Sequence, residues 1–293
     1  MSLRQQLRGT GVAIITPFQA NLSIDYVALD RIIDFMIAGG VEYIVTMGTT
    51  GETPTISKAE KKAIIEFTYE KVDGRVPVVV GVGGNNTAEL VEELGSLPLE
   101  PAVAVLSASP YYSKPSQEGL FQHYKTLAAA SPKPLLLYNV PGRTGRNLTA
   151  ATTIRLAREV KNIAGIKEAS GDMAQCMEIL RDRPADFLVV SGDDALAFPQ
   201  IAVGMDGVIS VAANSFPQDF TEMVRLSLEG RLAAAKALND KLIAGYELLF
   251  AENNPAGVKA AMSELKLIGN HVRLPLVPLS EGLQAKLREY LKG

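Results

Sequence analysis

A chain of 293 residues that is 47% hydrophobic and 21% charged, with no low-complexity tract, can bury a large core, and disorder is excluded. The formal net charge of −3 and the scatter of Lys and Arg exclude a basic footprint for nucleic acid, so small molecules are the expected partners. A single cysteine, Cys176, excludes an intrachain disulfide and fits a reducing compartment. No stretch approaches the roughly 18 apolar residues of a membrane span, and the N-terminal MSLRQQLRGTGVAIITPF lacks the apolar region of a signal peptide, so a cytoplasmic location is expected.

Short apolar runs recur along the chain, each followed by a segment with helical spacing, the alternation of βα units in a parallel sheet. In order they are GVAIITPF (11–18), YIVTMGT (43–49), PVVVGVG (77–83), AVAVLSAS (102–109), PLLLYNV (134–140), IAGIKEAS (163–170), DFLVVSGD (186–193) and GVISVAAN (207–214). Their Val, Ile and Leu content, without strict polar alternation, suits strands buried on both faces. Ser57 followed by Glu60 predicts a capping box ahead of KAEKKAIIEFTYEKV, and Ser116 with Gly119 is a weaker helix start before LFQHYKTLAAA.

Strand signals stop near residue 230, beyond which RLAAAKALNDKLIAGYELLF, NPAGVKAAMSELKLI and SEGLQAKLREYLKG read as amphipathic helices. The expectation is an α/β fold: a (β/α)₈ TIM barrel over residues 1–229, with a small helical appendage over 230–293.

Lys167 is a cation inside an apolar run. It either reaches water or pairs with Glu168 at a strand end, or is desolvated, partly neutral and nucleophilic toward a carbonyl. Tyr138 ends the preceding strand and is either core packing or, beside Lys167, a proton carrier for imine formation. In MGTTGE (47–52), Thr49 and Thr50 lie between glycines. The segment is an ordinary βα turn or a cradle of amides and hydroxyls for a carboxylate. Arg143, in NVPGRTG, is a solvated arginine or a bidentate carboxylate clamp. His123, His271 and one cysteine make no metal-ligand cluster, and GVGGNN (81–86) lacks the third glycine of a dinucleotide fingerprint, so no metal or nucleotide cofactor is expected.

Taken together, GTTGE (48–52), SPYYSKPSQEGL (109–120), YNVPGRTG (138–145), GIKEASGD (165–172), SGDD (191–194) and GVISV (207–211) resemble the dihydrodipicolinate synthase family of Schiff-base lyases, in consistent order from about residue 7 onward. The resemblance implies that pyruvate condenses with L-aspartate 4-semialdehyde in the first committed step of the diaminopimelate route to lysine. It implies Lys167 as the Schiff-base lysine, with Tyr138, Thr50 and Tyr112 as a proton relay in which Tyr112 reaches in from a neighbouring subunit. It further implies that Thr49 and Thr50 hold the pyruvate carboxylate, that Arg143 binds the semialdehyde carboxylate, and that Gly192 and Ile209 offer carbonyls near the lysine. The covalent imine replaces any cofactor, and the assembly implied is a homotetramer built as a dimer of dimers.

Some members of the family are inhibited by lysine at a dimer-interface site. Thr53, Asn85, Glu89 and Tyr111 match that site, whereas Lys58 and Lys61 stand where sensitive members carry histidines. Ammonium groups there repel a cationic ligand unless they point away, so weak or absent inhibition is expected. The nearest relatives in fold, N-acetylneuraminate lyase and the keto-deoxy sugar-acid aldolases, share the lysine. The sialic-acid enzymes usually show Ser-Thr in place of Thr49-Thr50 and lack an arginine at position 143.

Overall fold

The computed structural model describes residues 1–292; Gly293, the end of the last expected helix, lies outside them. Eight parallel strands pair in sequence order and close on themselves: β1 (Gly9–Ala13), β2 (Tyr43–Thr46), β3 (Val78–Gly81), β4 (Ala104–Ala108), β5 (Leu135–Asn139), β6 (Ile163–Glu168), β7 (Leu188–Ser191) and β8 (Gly207–Ser210). After each strand a helix returns along the outside: α1 (Tyr26–Ala38), α2 (Lys58–Val72), α3 (Thr87–Ser96), α4 (Gln117–Ala130), α5 (Ala150–Glu159), α6 (Met173–Asp182), α7 (Asp194–Ala202) and α8 (Pro217–Leu228). The capping box at Ser57 is present with both reciprocal bonds, and the Ser116 side chain accepts from the Gly119 amide.

Successive side chains of a strand point to opposite faces, and the core divides accordingly. Val78 and Val80 join Ile44, Ile166 and the helix residues Ile32, Ile64 and Leu94 in a layer between sheet and helices. Val79, between them, joins Val45, Leu106, Leu136, Tyr138, Val190 and Ile209 inside the barrel. The interior is a packed core, as in other barrels of this size. Gly11 is required by this packing, because a Cβ there would fall 2.1 Å from the Tyr43 ring.

The first strand departs from the sequence expectation. It begins at Gly9 and ends at Ala13, whereas Ile14 to Phe18 leave the sheet although Ile14, Ile15 and Phe18 are buried. The Ile15 amide donates to the Asn214 side chain, so apolarity here belongs to a buried loop above the barrel rim rather than to a strand. All eight strands stop short of the apolar runs that marked them, and the extra residues form the loops that carry the site.

Beyond residue 230 the chain forms α9 (Leu232–Phe250), α10 (Ala256–Glu264) and α11 (Glu281–Tyr290). Helix α9 packs on α7 and α8, and its Leu242, Tyr246 and Leu249 share one core cluster with the sheet–helix layer. The division after residue 229 that we propose is therefore one of architecture, since the two parts bury a common core. No described helix is long and apolar enough to cross a membrane.

Candidate active site

Lys167 sits near the C-terminal end of β6, in register with Tyr138 of β5 on one side and Val190 of β7 on the other. It shares the strand face of the interior cluster and is 5% exposed, with Nζ 4.4 Å from the centre of the Tyr138 ring. Gly192, just after β7, leaves room for it: a Cβ there would lie 2.8 Å from Lys167 Cε.

Glu168 does not pair with Lys167. One residue on, it faces the opposite side of the sheet, where it accepts from Asn139 Nδ2 at 2.9 Å, Gln175 Nε2 at 3.1 Å and the Ser170 amide at 2.6 Å. No ion pair to Lys167 is present among the described residues. The amine is thus shielded from bulk water, beside an aromatic face and without a carboxylate against it, a setting suited to a nucleophile rather than to a structural cation.

At the end of β2, Thr49–Gly51 form a 3-10 turn closed by Glu52 in the left-handed conformation (φ 56°). The leading amides of such a turn have no acceptor within it, and both Thr49 and Thr50 line the cavity that holds Lys167. Thr53 braces the turn by donating its hydroxyl toward the Met47 and Gly48 carbonyls at 2.7 and 2.8 Å. Thr50, 2% exposed, accepts a hydrogen bond from Asn254 Nδ2 at 3.0 Å. Arg143 rises from the short helical turn Pro141–Thr144 after β5 and donates to the Asn254 carbonyl at 3.3 Å.

Asn254, between α9 and α10, thereby joins two residues that the sequence singles out, yet sequence reasoning missed it. The only local signal is an Asn-Asn-Pro segment ending a helix, which marks a turn and nothing more.

The cavity encloses about 1190 Å³ and brings together Lys167, Tyr138, Thr49, Thr50, Arg143 and Gly192. It extends into an arm lined by Thr53, Lys58, Lys61, Asn85, Glu89 and Tyr111. Lys61 is not free there: its Nζ lies 2.6 Å from Glu93 Oε1. Two expected residues lie outside the cavity lining. Ile209 is buried in the barrel interior, and Tyr112 is 89% exposed on the loop after β4, with a left-handed backbone (φ 69°) unusual for a tyrosine. Among the described residues no three His, Cys, Asp or Glu side chains gather as a metal site.

The model of the dihydrodipicolinate synthetase family matches residues 6–293. A 4-hydroxy-tetrahydrodipicolinate synthase of Parabacteroides distasonis is 48% identical over 286 residues, covering 98% of this chain and 96% of that one. Among solved structures, a monomeric dihydrodipicolinate synthase variant superposes with a TM-score of 0.96 at 39% identity, covering 99% of this chain and 97% of the other. The chloride-inhibited dihydrodipicolinate synthase of Acinetobacter baumannii, complexed with pyruvate, gives a TM-score of 0.95 at 40% identity, with 98% of each chain covered. A family model matched from residue 6 onward, and relatives 48% identical across 98% of the chain, show that it belongs to the dihydrodipicolinate synthetase family.

Proposed function

We propose that this enzyme condenses pyruvate with L-aspartate 4-semialdehyde through an imine on Lys167, as a 4-hydroxy-tetrahydrodipicolinate synthase. The observation that carries the reading is the buried Lys167 amine beside Tyr138, with no counter-charge, in the same cavity as the GTTGE turn. The neutral amine attacks the keto carbon of pyruvate, and loss of water from the carbinolamine gives the imine. A methyl proton then leaves to form an enamine, whose carbon attacks the aldehyde. The amine of the second substrate displaces Lys167 as the ring closes, which regenerates the free lysine. The iminium itself is the electron sink, so the steps require no metal.

Tyr138 and Thr50 carry protons between carbinolamine and solvent, with Tyr112 of a second copy completing the relay. The exposure of Tyr112 in the isolated chain supports that assignment, and an assembly of dimers, a homotetramer at full size, is the arrangement proposed. The Thr49 and Thr50 amides hold the pyruvate carboxylate, Arg143 clamps the carboxylate of the semialdehyde, and Gly192 and Ile209 offer backbone carbonyls near the lysine. We assign the arm around Lys58 and Lys61 to a vestigial effector site, because Lys61, paired with Glu93, already sets an ammonium in its lining. A biosynthetic role on soluble metabolites fits a cytoplasmic location.

Borohydride reduction in the presence of pyruvate, followed by intact mass and peptide mapping, tests the reading. One reduced pyruvate adduct on Lys167, absent from Lys167→Ala, is the expected result. An adduct on another residue, or none, rejects it.

A further inference from the structure

Thr50 Oγ1 receives one hydrogen bond, from Asn254 Nδ2 at 3.0 Å, and donates to no protein acceptor among the described residues. A hydroxyl has one hydrogen and two lone pairs. When an amide N–H occupies a lone pair, the hydroxyl hydrogen must turn away from that amide, and the open side of Thr50 is the cavity that contains Lys167 and Tyr138.

The backbone that carries this amide is anchored. Asn254 is buried, and its backbone carbonyl accepts from Arg143 Nη2 at 3.3 Å. Five residues on, Lys259 forms an ion pair with Glu52, the residue that closes the Thr49–Gly51 turn, and donates to the His271 carbonyl at 2.9 Å. Glu52 also accepts from the Arg273 amide at 2.9 Å. The segment from 254 to 273 therefore grips the turn at two points, one neutral and one charged.

Asn254 Oδ1, by contrast, is buried with no partner among the described residues. A bare buried acceptor is destabilising. Stability alone does not account for an amide kept in this orientation, whereas a task for its N–H does.

We propose that Asn254 is a positioning residue for the proton relay: it orders the Thr50 hydroxyl so that its proton is delivered into the cavity, toward Tyr138 and the carbinolamine. The proposal rests on the imine chemistry assigned to Lys167. It places a residue of the helical appendage in control of a proton transfer inside the barrel, without itself touching substrate.

The test is a double-mutant cycle on the full-length enzyme with Thr50→Val, Asn254→Asp and Asn254→Ala. A carboxylate at 254 keeps the shape but only accepts, so the Thr50 hydroxyl turns to it and away from the cavity. Asn254→Asp should lower kcat by at least about tenfold and leave KM for the semialdehyde within about twofold, measured where the variant is folded. Combined with Thr50→Val it should add no further loss in kcat, because both changes remove one function. Asn254→Ala should behave the same way and serves where the aspartate variant does not fold. Additive losses, or an unchanged kcat in either folded variant, overturn the proposal. Pyruvate trapping on the parent separates the two levels: an intact adduct on Lys167 with an inert Asn254 rejects only this proposal, whereas no adduct in the parent rejects the imine chemistry and this proposal with it.

Discussion

Glu52 and Lys259 form an ion pair in which both side chains are fully buried, and it binds the turn after β2 to helix α10. Lys259 Nζ also lies 4.0 Å from the centre of the Phe18 ring, so the ammonium is enclosed by a carboxylate, a carbonyl and an aromatic face. Removing one partner strands the other charge away from water. Lys259→Met should cost about 3–5 kcal/mol of unfolding free energy, and the double variant Glu52→Gln/Lys259→Met should recover most of it, since two compensated charges are replaced by none. Denaturant midpoints measure both. A double variant as damaged as the single one would show that hydrogen-bond geometry, rather than charge compensation, holds the turn.

His123, in α4, is buried and hydrogen-bonds through Nδ1 to the Thr87 hydroxyl at 2.8 Å, while Nε2 has no partner among the described residues. Burial pulls its pKa from 6.5 down to about 4. Between those values the unfolded chain binds a proton that the folded chain refuses, so stability falls as the pH drops from 6.5 toward 4. The group accounts for a loss of up to about 3 kcal/mol across that window. Urea unfolding at several pH values should show a shallower acid slope in His123→Gln than in the parent, and equal slopes would refute the assignment.

Cys176, in α6, is fully buried, and burial, reinforced by Glu168 and Asp172, pushes its thiol up to about 12. The thiolate is the reactive form. Under native conditions at neutral pH an aromatic disulfide reagent should release no thiolate from the folded protein, and one equivalent after denaturation. Rapid native labelling would mean that α6 opens locally.

Lysine should inhibit this enzyme weakly or not at all. The Lys61–Glu93 pair is half-buried, so an incoming ammonium must displace a cation already in contact with the carboxylate, and Lys58 adds a further positive charge to the lining. Steady-state rates across a lysine titration decide the matter, and a low-millimolar or tighter inhibition constant would overturn the expectation. Should Lys61→Ala acquire sensitivity, the pair itself is the block.

The site was legible in the sequence where the chemistry is local. Lys167 in an apolar run, Tyr138 at the end of the preceding run and a GTTGE turn after another are each visible within a few residues, and strand adjacency in a barrel brings them together. Asn254, Lys259 and Arg273 were not legible. Their partners Thr50 and Glu52 lie two hundred residues earlier in the chain, and nothing in a helical pattern says which lysine meets a buried carboxylate. The first strand was misplaced for a related reason: Ile14, Ile15 and Phe18 are as apolar as a strand, but a buried loop asks for the same residues.

By itself the sequence determined the order of eight βα units, the helical tail after them and the residue types available for imine chemistry, because periodicity and capping act over short distances. Only the tertiary structure decided that Lys167 faces inward and Glu168 outward. Side chains alternate along a strand, so a one-residue slip in register would exchange them, placing the amine among the helices and the carboxylate in the cavity. Closure of the barrel settles that register, and with it which of two adjacent charges becomes the nucleophile.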